Sequence, residues 1–165
     1  MILVTGAAGK TGKAIIRALV AKQLPTRAPV HREAQVQTTK SAGAEEVVVG
    51  DMHSETTLAD ATRDVDAIYH ICPNVNSDEI SIGKTVIDAA RAAKVKQFVF
   101  HSVLHPQVEV MPHHWNKLRV EEALFESGLQ FSILQPAAYM QNVLGGLQSI
   151  VGEGIYPVPY SVEAP

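Results

Sequence analysis

The chain opens with MILVTGAAGKTGKAII, residues 1–16, in which a short apolar run leads into a glycine-rich loop and then a helical pattern. The loop glycines Gly6, Gly9 and Gly12 stand three residues apart. Glycine permits a tight turn and lets backbone amides approach an anion without an intervening Cβ. A helix that follows such a loop adds unpaired amides and the positive end of its dipole. This stretch therefore predicts a strand, a phosphate-binding loop and a helix in succession.

Short apolar runs alternate with longer helical patterns along the rest of the chain. The predicted strands are residues 2–5, 28–31, 46–49, 67–71, 97–101 and 131–134, and the predicted helices are 13–22, 34–42, 56–62, 80–93, 116–127 and 139–150. Strict alternation implies parallel strands joined by helical crossovers. We predict an α/β doubly wound parallel sheet, a Rossmann fold, with about six strands and helices on both faces. In this context a glycine-rich turn without a ligand is the weaker alternative for the loop.

Size and composition exclude several classes of protein. The chain has 165 residues, of which 46% are hydrophobic and 19% charged, and a net charge of −3, as expected of one globular domain over residues 1–165. No stretch is dense enough in lysine and arginine to bind a row of nucleic-acid phosphates. The single cysteine excludes an internal disulfide, and neither a charged leader nor a membrane-length apolar run is evident. A cytoplasmic location is the expectation.

The end of the second predicted strand should decide which nucleotide binds. It reads VHRE, residues 30–33. A carboxylate there accepts hydrogen bonds from both ribose hydroxyls and favours NAD, whereas a guanidinium pairs with the 2′-phosphate of NADP. Arg32, assisted by His31, favours NADP. Glu33 keeps NAD open, since a shift of one residue would place the acid at the strand tip, and a solvated surface arginine is the alternative for Arg32.

Two further strand ends carry candidate cofactor contacts. Asp51 follows the third strand, where its carboxylate can accept from the adenine amino group, and a helix N-cap or turn aspartate is the alternative. The fourth strand leads into Cys72 and Pro73, a loop predicted to lie over the cofactor and to contact it through its backbone. We interpret Cys72 as a small packed thiol rather than a nucleophile.

The segments TGAAGKTG (5–12), VHR (30–32), VVVGDM (47–52) and QFVFHSV through LQPAAYMQNV (97–143) together resemble the atypical short-chain dehydrogenase/reductases of the NmrA-like group. That group includes NAD(P)H-dependent reductases and redox-sensing regulators. The resemblance implies that the cofactor is contacted by Gly6, Ala8, Gly9, Lys10, Thr11, Gly12, His31, Arg32, Asp51, Met52, Cys72, Pro73, Lys117 and Pro136. Pro136 and Tyr139 are implied to border the nicotinamide end.

The enzymes of this group use a serine, a tyrosine and a lysine together. The resemblance assigns Ser102 to the serine position and Lys117 to the lysine, but His113 stands at the tyrosine position. Four residues apart on a helix, His113 and Lys117 share a face, and an adjacent ammonium disfavours the protonated imidazole. His113 is therefore a surface residue near the helix start, a neighbour of the nicotinamide without chemistry, or a working acid. Lys117 either binds the nicotinamide ribose or is a solvated lysine.

Two functions and a cofactor follow from the resemblance. The chain is either an NADPH-dependent reductase of a small carbonyl or quinone, or a non-catalytic protein that reports the NADPH to NADP ratio to a protein partner; a degenerate fragment without a ligand is the third alternative. NADP is the expected cofactor, with NAD as the alternative, and no metal site is predicted. Members of the group usually continue into a smaller lobe that closes over the substrate. A truncated or minimal form ending at Pro165 would lack most of that lobe, and exposed apolar surface there would favour a homodimer.

Overall fold

Strands and helices alternate along the chain as the sequence pattern predicts. The computed structural model describes residues 1–72 and 76–156. Its strands are β1 (Ile2–Val4), β2 (Thr26–Val30), β3 (Glu46–Val49), β4 (Ala67–His70), β5 (Gln97–His101) and β6 (Phe131–Leu134). Its α-helices are α1 (Lys10–Val20), α2 (Val36–Lys40), α3 (Glu55–Thr62), α4 (Glu79–Ala92), α5 (Pro112–Glu126) and α6 (Leu147–Glu153), and 3-10 helices span Glu33–Gln35 and Met140–Gly146.

The six strands form one parallel sheet in the order β3-β2-β1-β4-β5-β6. The strand order reverses between β1 and β4, where the chain crosses from one half of the sheet to the other. At such a switch point the loops beyond the carboxyl ends of the strands diverge and leave a crevice. The predicted doubly wound fold is confirmed, and the glycine loop lies at this crevice because it follows β1.

Side chains alternate between the two faces of the sheet along each strand, and both faces are apolar, so helices pack on both of them. Val4 belongs to the core on one face, together with Ile16 of α1 and residues that flank α2. Leu3 belongs to the core on the other face, where α3, α4 and α5 pack over the fully buried rings of Phe98 and Phe100. The central strands are therefore enclosed, which explains their continuous apolar runs.

Two helices begin three or four residues earlier than predicted. Gly9 occupies the N-cap position with extended backbone, so α1 begins at Lys10. Helix α5 begins at Pro112, four residues before the predicted start at Asn116, because the fixed φ of proline suits the first helical position and its missing N–H is not needed there. The early start places His113 within the helix.

The described chain divides into two compact units, one spanning Met1–Gln135 and a second that begins at Pro136. In the second unit the helix predicted over 139–150 is wrong: a 3-10 helix, Met140–Gly146, is followed by the short α6. The adjacent glycines Gly145 and Gly146 explain this break, because glycine disfavours a continuous α-helix. Within residues 1–72 and 76–156, no helix has both the length and the apolar character that crossing a bilayer requires.

Candidate cofactor-binding site

The loop between β1 and α1 is shaped by its glycines. Gly6 has a φ of 59°, and a Cβ added there would lie 2.8 Å from the carbonyl oxygen of Ile71. A Cβ added to Gly12 would lie 2.3 Å from the carbonyl oxygen of Gly6. The Gly9 amide donates to that same Gly6 oxygen at 3.0 Å. Gly6 and Gly12 are thus required for close packing, while the exposed Gly9 leaves the start of α1 unobstructed.

The first turn of α1 is suited to an anion. Residues 10–13 read KTGK, without an acidic side chain, and the Gly9 N-cap supplies no side-chain acceptor. The first amides of a helix have no intrahelical acceptor and lie at the positive end of the helix dipole. Lys10 is exposed, and Ala8 and Thr11 are half-buried. This helix start, beside an exposed glycine and without an acidic side chain, fits the pyrophosphate of a dinucleotide.

A cleft of about 320 Å³ lies beside the loop. The loop, the end of β2, Met52, the end of β4 and Ile82 of α4 form its walls. A larger groove of about 690 Å³ between α3 and α4 contains none of the predicted site residues and is lined by several alanines. The smaller cleft is the candidate site, because it alone of these two contains the glycine loop.

A glutamine side chain holds the turn after β2. Gln35 Oε1 accepts the backbone N–H groups of His31, at 3.1 Å, and Arg32, at 3.0 Å. His31 and Gln35 line the cleft, and the exposed Arg32 directly precedes the 3-10 helix that begins at Glu33. Gln35 is not among the residues predicted from the sequence, although a glutamine three residues after an N-cap is a recognised capping signal.

The carboxylate of Asp51 shapes the turn after β3. Its Oδ1 accepts the backbone N–H of His53 at 2.9 Å, an Asx turn. The N-cap of α3 is Ser54, whose hydroxyl accepts from the Thr57 N–H at 3.2 Å. Of the two structural alternatives for Asp51 the turn is therefore right and the N-cap is wrong. Met52 is half-buried and lines the cleft.

A buried threonine and histidine join the ends of β1 and β4. Thr5 Oγ1 lies 2.8 Å from His70 Nδ1, donates to the Ile71 carbonyl oxygen at 3.1 Å and accepts the Ile71 N–H at 2.8 Å. This pattern assigns the ring proton of His70 to Nδ1. Burial, followed by the Lys117 charge, lowers the pKa of His70 to about 3, so the imidazole is neutral. Its Nε2 is buried and has no hydrogen-bond partner among the described residues.

The thiol of Cys72 is part of the core on the α4 side of the sheet. Burial is the main cause that raises its pKa to about 12, and the Glu79 charge adds to it. A thiol with so little thiolate is a poor nucleophile, which supports the interpretation of Cys72 as a packing residue. Pro73, the other predicted residue of this loop, lies outside the described residues.

Lys117 is buried against α4. Its ammonium forms an ion pair with Glu79 in the first turn of α4, where the lysine side chain is 10% exposed and the glutamate side chain 0%. Its Nζ also lies over the Phe100 ring, 5.6 Å from the ring centroid. Burial raises the pKa of Glu79, against the lowering effect of the Lys117 charge. The alternative of a solvated lysine is wrong.

Ser102 is buried at the end of β5, and its hydroxyl donates to Glu121 Oε1 of α5. The amide of Gln135 donates to both carboxylate oxygens of Glu121, at 3.0 and 3.1 Å. Glu121 stands four residues after Lys117, so helical spacing could have identified it. Glu79 is 38 residues from Lys117 and has no comparable local signal.

His113 is half-buried in the first turn of α5, one turn before Lys117. Its ring meets that of His114 edge to face, with centroids 4.5 Å apart. Burial, then the charges of His114 and Lys117, lower the pKa of His113, the direction that the sequence predicts for the effect of Lys117. A neutral imidazole at neutral pH is a hydrogen-bonding group rather than a strong acid.

Two remaining expectations concern Pro136 and metals. Pro136 opens the second compact unit, and its contact with the nicotinamide stays a prediction. Within the part of the chain that the structure describes, no group of three or more histidine, cysteine, aspartate or glutamate side chains could hold a metal ion.

Comparison with known proteins agrees with this geometry. The profile of the NmrA-like family matches residues 1–156. This chain belongs to the NmrA-like family. An NAD(P)H azoreductase of Xenophilus azovorans is 31% identical over 164 residues, which cover 96% of this NmrA-like chain and 55% of the relative. The photosystem II assembly factor Ycf39 of Cyanophora paradoxa is 28% identical over 152 residues, 87% of this chain and 47% of the relative.

Solved structures show the same fold. The crystal structure of an NADPH-dependent quinone oxidoreductase from Escherichia coli, complexed with NADPH, has a TM-score of 0.80 and 26% identity. The similarity covers 93% of the NmrA-like chain and 55% of the oxidoreductase chain. The chain therefore spans about half the length of the curated relatives that it matches.

Proposed function

We propose that this chain binds NADP(H) in the cleft beside its glycine loop and forms the cofactor-binding part of an NADPH-dependent oxidoreductase that acts on a small carbonyl or quinone. The observation that carries the proposal is the start of α1 beside the glycine loop. Gly6 and Gly12 have no room for a Cβ, and Gly9 leaves the first amides of the helix accessible. The NAD(P)H azoreductase and the NADPH-bound quinone oxidoreductase to which the chain is similar support it.

In this proposal the chain's residues hold different parts of the nucleotide. The residues Ala8, Lys10 and Thr11 bind the pyrophosphate through backbone amides, and Gly9, whose own amide donates to Gly6, leaves room for it. His31 and Arg32 bind the 2′-phosphate. Asp51 and Met52 border the adenine, the backbone of Cys72 and Pro73 lies along the nucleotide, and Pro136 borders the nicotinamide. Lys117 donates to the nicotinamide ribose. NADPH, when bound, supplies a hydride.

The properties of the two candidate proton donors favour a second candidate function. His113 has a lowered pKa, and the Ser102 hydroxyl already donates to the buried Glu121 carboxylate. Neither group is therefore well prepared to protonate a carbonyl oxygen. This observation favours a non-catalytic protein that binds NADP(H) and reports the NADPH to NADP ratio to a protein partner. A homodimer and a cytoplasmic location stay predictions from the sequence.

Calorimetric titration with NADPH and with NADH tests cofactor binding. We expect Arg32→Ala to weaken the binding of NADPH roughly tenfold or more and to change the binding of NADH little. The reason is that a lost charge-assisted phosphate contact costs about 1.5–3 kcal/mol. Arg91→Ala, at an exposed arginine near the end of α4, is the matched control and should change neither affinity. Equal losses for both nucleotides would contradict the phosphate contact, and no binding of either would remove the proposal.

NADPH consumption in the presence of a panel of quinones and small carbonyls separates the two functions. Turnover supports the oxidoreductase, whereas tight NADPH binding without turnover supports the sensor. If turnover occurs, His113→Ala tests the acid role. An unchanged rate would exclude His113 as the proton donor.

A further inference from the structure

A buried ion pair joins α4 and α5 next to the candidate site. Glu79 in the first turn of α4 binds Lys117 of α5, and neither side chain is more than 10% exposed. Ile82, three residues after Glu79 in the same helix, lines the cleft beside the glycine loop. Residues three apart lie on one helix face, so the ion pair adjoins the cleft.

Stability alone does not account for this pair. Transfer of a carboxylate and an ammonium from water into a protein interior costs several kcal/mol for each ion, and apolar residues of similar volume are often as stable or more so. The second carboxylate oxygen, Oε2 of Glu79, is also buried and has no hydrogen-bond partner among the described residues, which adds to the cost. What the arrangement achieves is a defined position for Lys117 Nζ.

The packing of the two helices brings Glu79 within reach of Lys117. One turn after Glu79, a Cβ added to Gly83 would lie 2.6 Å from Cγ2 of Val120, which itself follows Lys117 by three residues. The absence of a side chain at Gly83 therefore permits the close approach of α4 and α5. Gly83 packs against Val120, and one turn earlier Glu79 binds Lys117, so the contact between α4 and α5 is continuous.

We propose that Glu79 is a positioning residue of the cofactor site, which orients the Lys117 ammonium and supplies its counter-charge so that it can donate to the ribose hydroxyls of bound NADPH. The inference rests on the proposed function. An ammonium has three donors, so two remain after the bond to Glu79. One carboxylate thus holds the lysine without consuming its ability to bind a ribose.

The test is the pH dependence of NADPH binding by the full chain carrying Glu79→Gln. Without the carboxylate, Lys117 is a buried cation without a counter-charge, which favours its neutral form. We expect calorimetry to show NADPH affinity roughly tenfold weaker at pH 7 and weaker still at pH 9. The native chain should show little change across this range.

Other groups near Lys117 do not interfere between pH 7 and 9. Its charge acts on His70, His101 and His113, whose pKa values are all lowered, and on Cys72, whose pKa is raised to about 12. The three imidazoles are therefore neutral and the thiol protonated throughout. Glu79 in α4 and Glu121 in α5 are the nearby carboxylates with hydrogen bonds to site residues.

Three variants separate positioning from a purely structural role. Glu79→Asp keeps the charge but withdraws it by one methylene, so it should weaken NADPH severalfold and keep the flat pH profile. Lys117→Met should lose affinity without a pH slope, and adding Glu79→Gln to it should weaken NADPH no further. Glu122→Gln, at an exposed glutamate paired with Arg119, is the matched control and should leave binding unchanged.

The outcomes distinguish the inference from the function on which it rests. If the native chain binds NADPH, and Glu79→Gln binds it with the same affinity and a flat pH profile, the role of Glu79 is overturned. The proposed function then stands. No NADPH binding by the native chain overturns both. If Glu79→Gln does not fold, Glu79→Asp decides, since an affinity equal to that of the native chain would then overturn the inference.

Discussion

At Gly12 a single methyl group decides whether the glycine loop and α1 can pack together. A Cβ there would lie 2.3 Å from the Gly6 carbonyl oxygen and 2.7 Å from Ala7 Cα, both backbone atoms that cannot rotate away. We expect Gly12→Ala to reduce the free energy of unfolding by about 1–3 kcal/mol and to weaken NADPH roughly tenfold or more. Urea titration and calorimetry measure the two effects. Gly152→Ala in the short α6, where a Cβ meets nothing within 4 Å, should cause neither.

His70 makes stability depend on pH. Its pKa is lowered to about 3 in the folded chain, while the unfolded chain protonates near pH 6.5. The unfolded state binds the extra proton between these values, so the stabilisation is complete above about pH 6.5 and is lost as the pH falls towards 3. Between pH 7 and pH 5 the native chain should lose about 2 kcal/mol more than His70→Asn, as measured by urea unfolding.

The difference between the native chain and His70→Asn isolates the contribution of His70 to the pH dependence of stability. The raised pKa of Glu79 has the opposite effect on stability as the pH falls, but it is present in both. His31→Asn, at an exposed histidine, should keep the native pH dependence. Parallel stability curves for the native chain and His70→Asn would contradict a buried neutral imidazole.

At the scale of helices, α5 carries most of the candidate chemistry on one face. His113, Lys117 and Glu121 follow one another at intervals of four residues, and the start of the helix at Pro112 brings His113 onto that face. Helix α4 provides the partner for Lys117, and β5 provides Ser102 for Glu121. The spacing between α4 and α5 therefore controls whether these pairs form.

The contact of Gly83 with Val120 tests that spacing. Val120 is fully buried and β-branched, so it cannot rotate away from a new Cβ 2.6 Å from its Cγ2. We expect Gly83→Ala to lower the free energy of unfolding by about 1–2 kcal/mol, because overpacking outweighs the better helix propensity of alanine. Urea unfolding of Val120→Ala and of the double variant completes a cycle. The double variant should lose less free energy of unfolding than the two single variants lose together. Strict additivity of the losses would exclude the steric contact.

At the scale of the whole molecule, the single cysteine reports the opening of the core. Cys72 is 4% exposed, and its pKa of about 12 leaves very little thiolate. At pH 8 a thiol reagent should label the native chain roughly a thousandfold more slowly than the chain in concentrated urea, from the thiolate fraction alone. Spectrophotometric labelling rates measure this, and labelling that tracks global stability across urea concentrations would identify whole-core opening. Rapid labelling of the folded chain would show that this part of the core opens locally.

The residue pattern was sufficient to predict the architecture and part of the local geometry around the candidate site. Alternation of short apolar runs with helical patterns predicted the six parallel strands, since each element's periodicity is local. Spacing and chain position also predicted the glycine loop, the strand end next to Arg32 and the shared face of His113 and Lys117. The helix predicted over 139–150 was the exception. Gly145 and Gly146 interrupt it, and residues 140–146 form a 3-10 helix instead.

What the sequence by itself determined is therefore the fold and the glycine loop after β1, because both depend on the order and spacing of neighbouring residues. Only the tertiary structure decided which partners the buried polar groups have. Thr5 meets His70 across 65 residues, Lys117 meets Glu79 across 38, and the Ser102 hydroxyl turns to Glu121 across 19. Such pairs depend on how strands and helices cross, and no local pattern distinguishes the buried carboxylate of Glu79 from a solvated one.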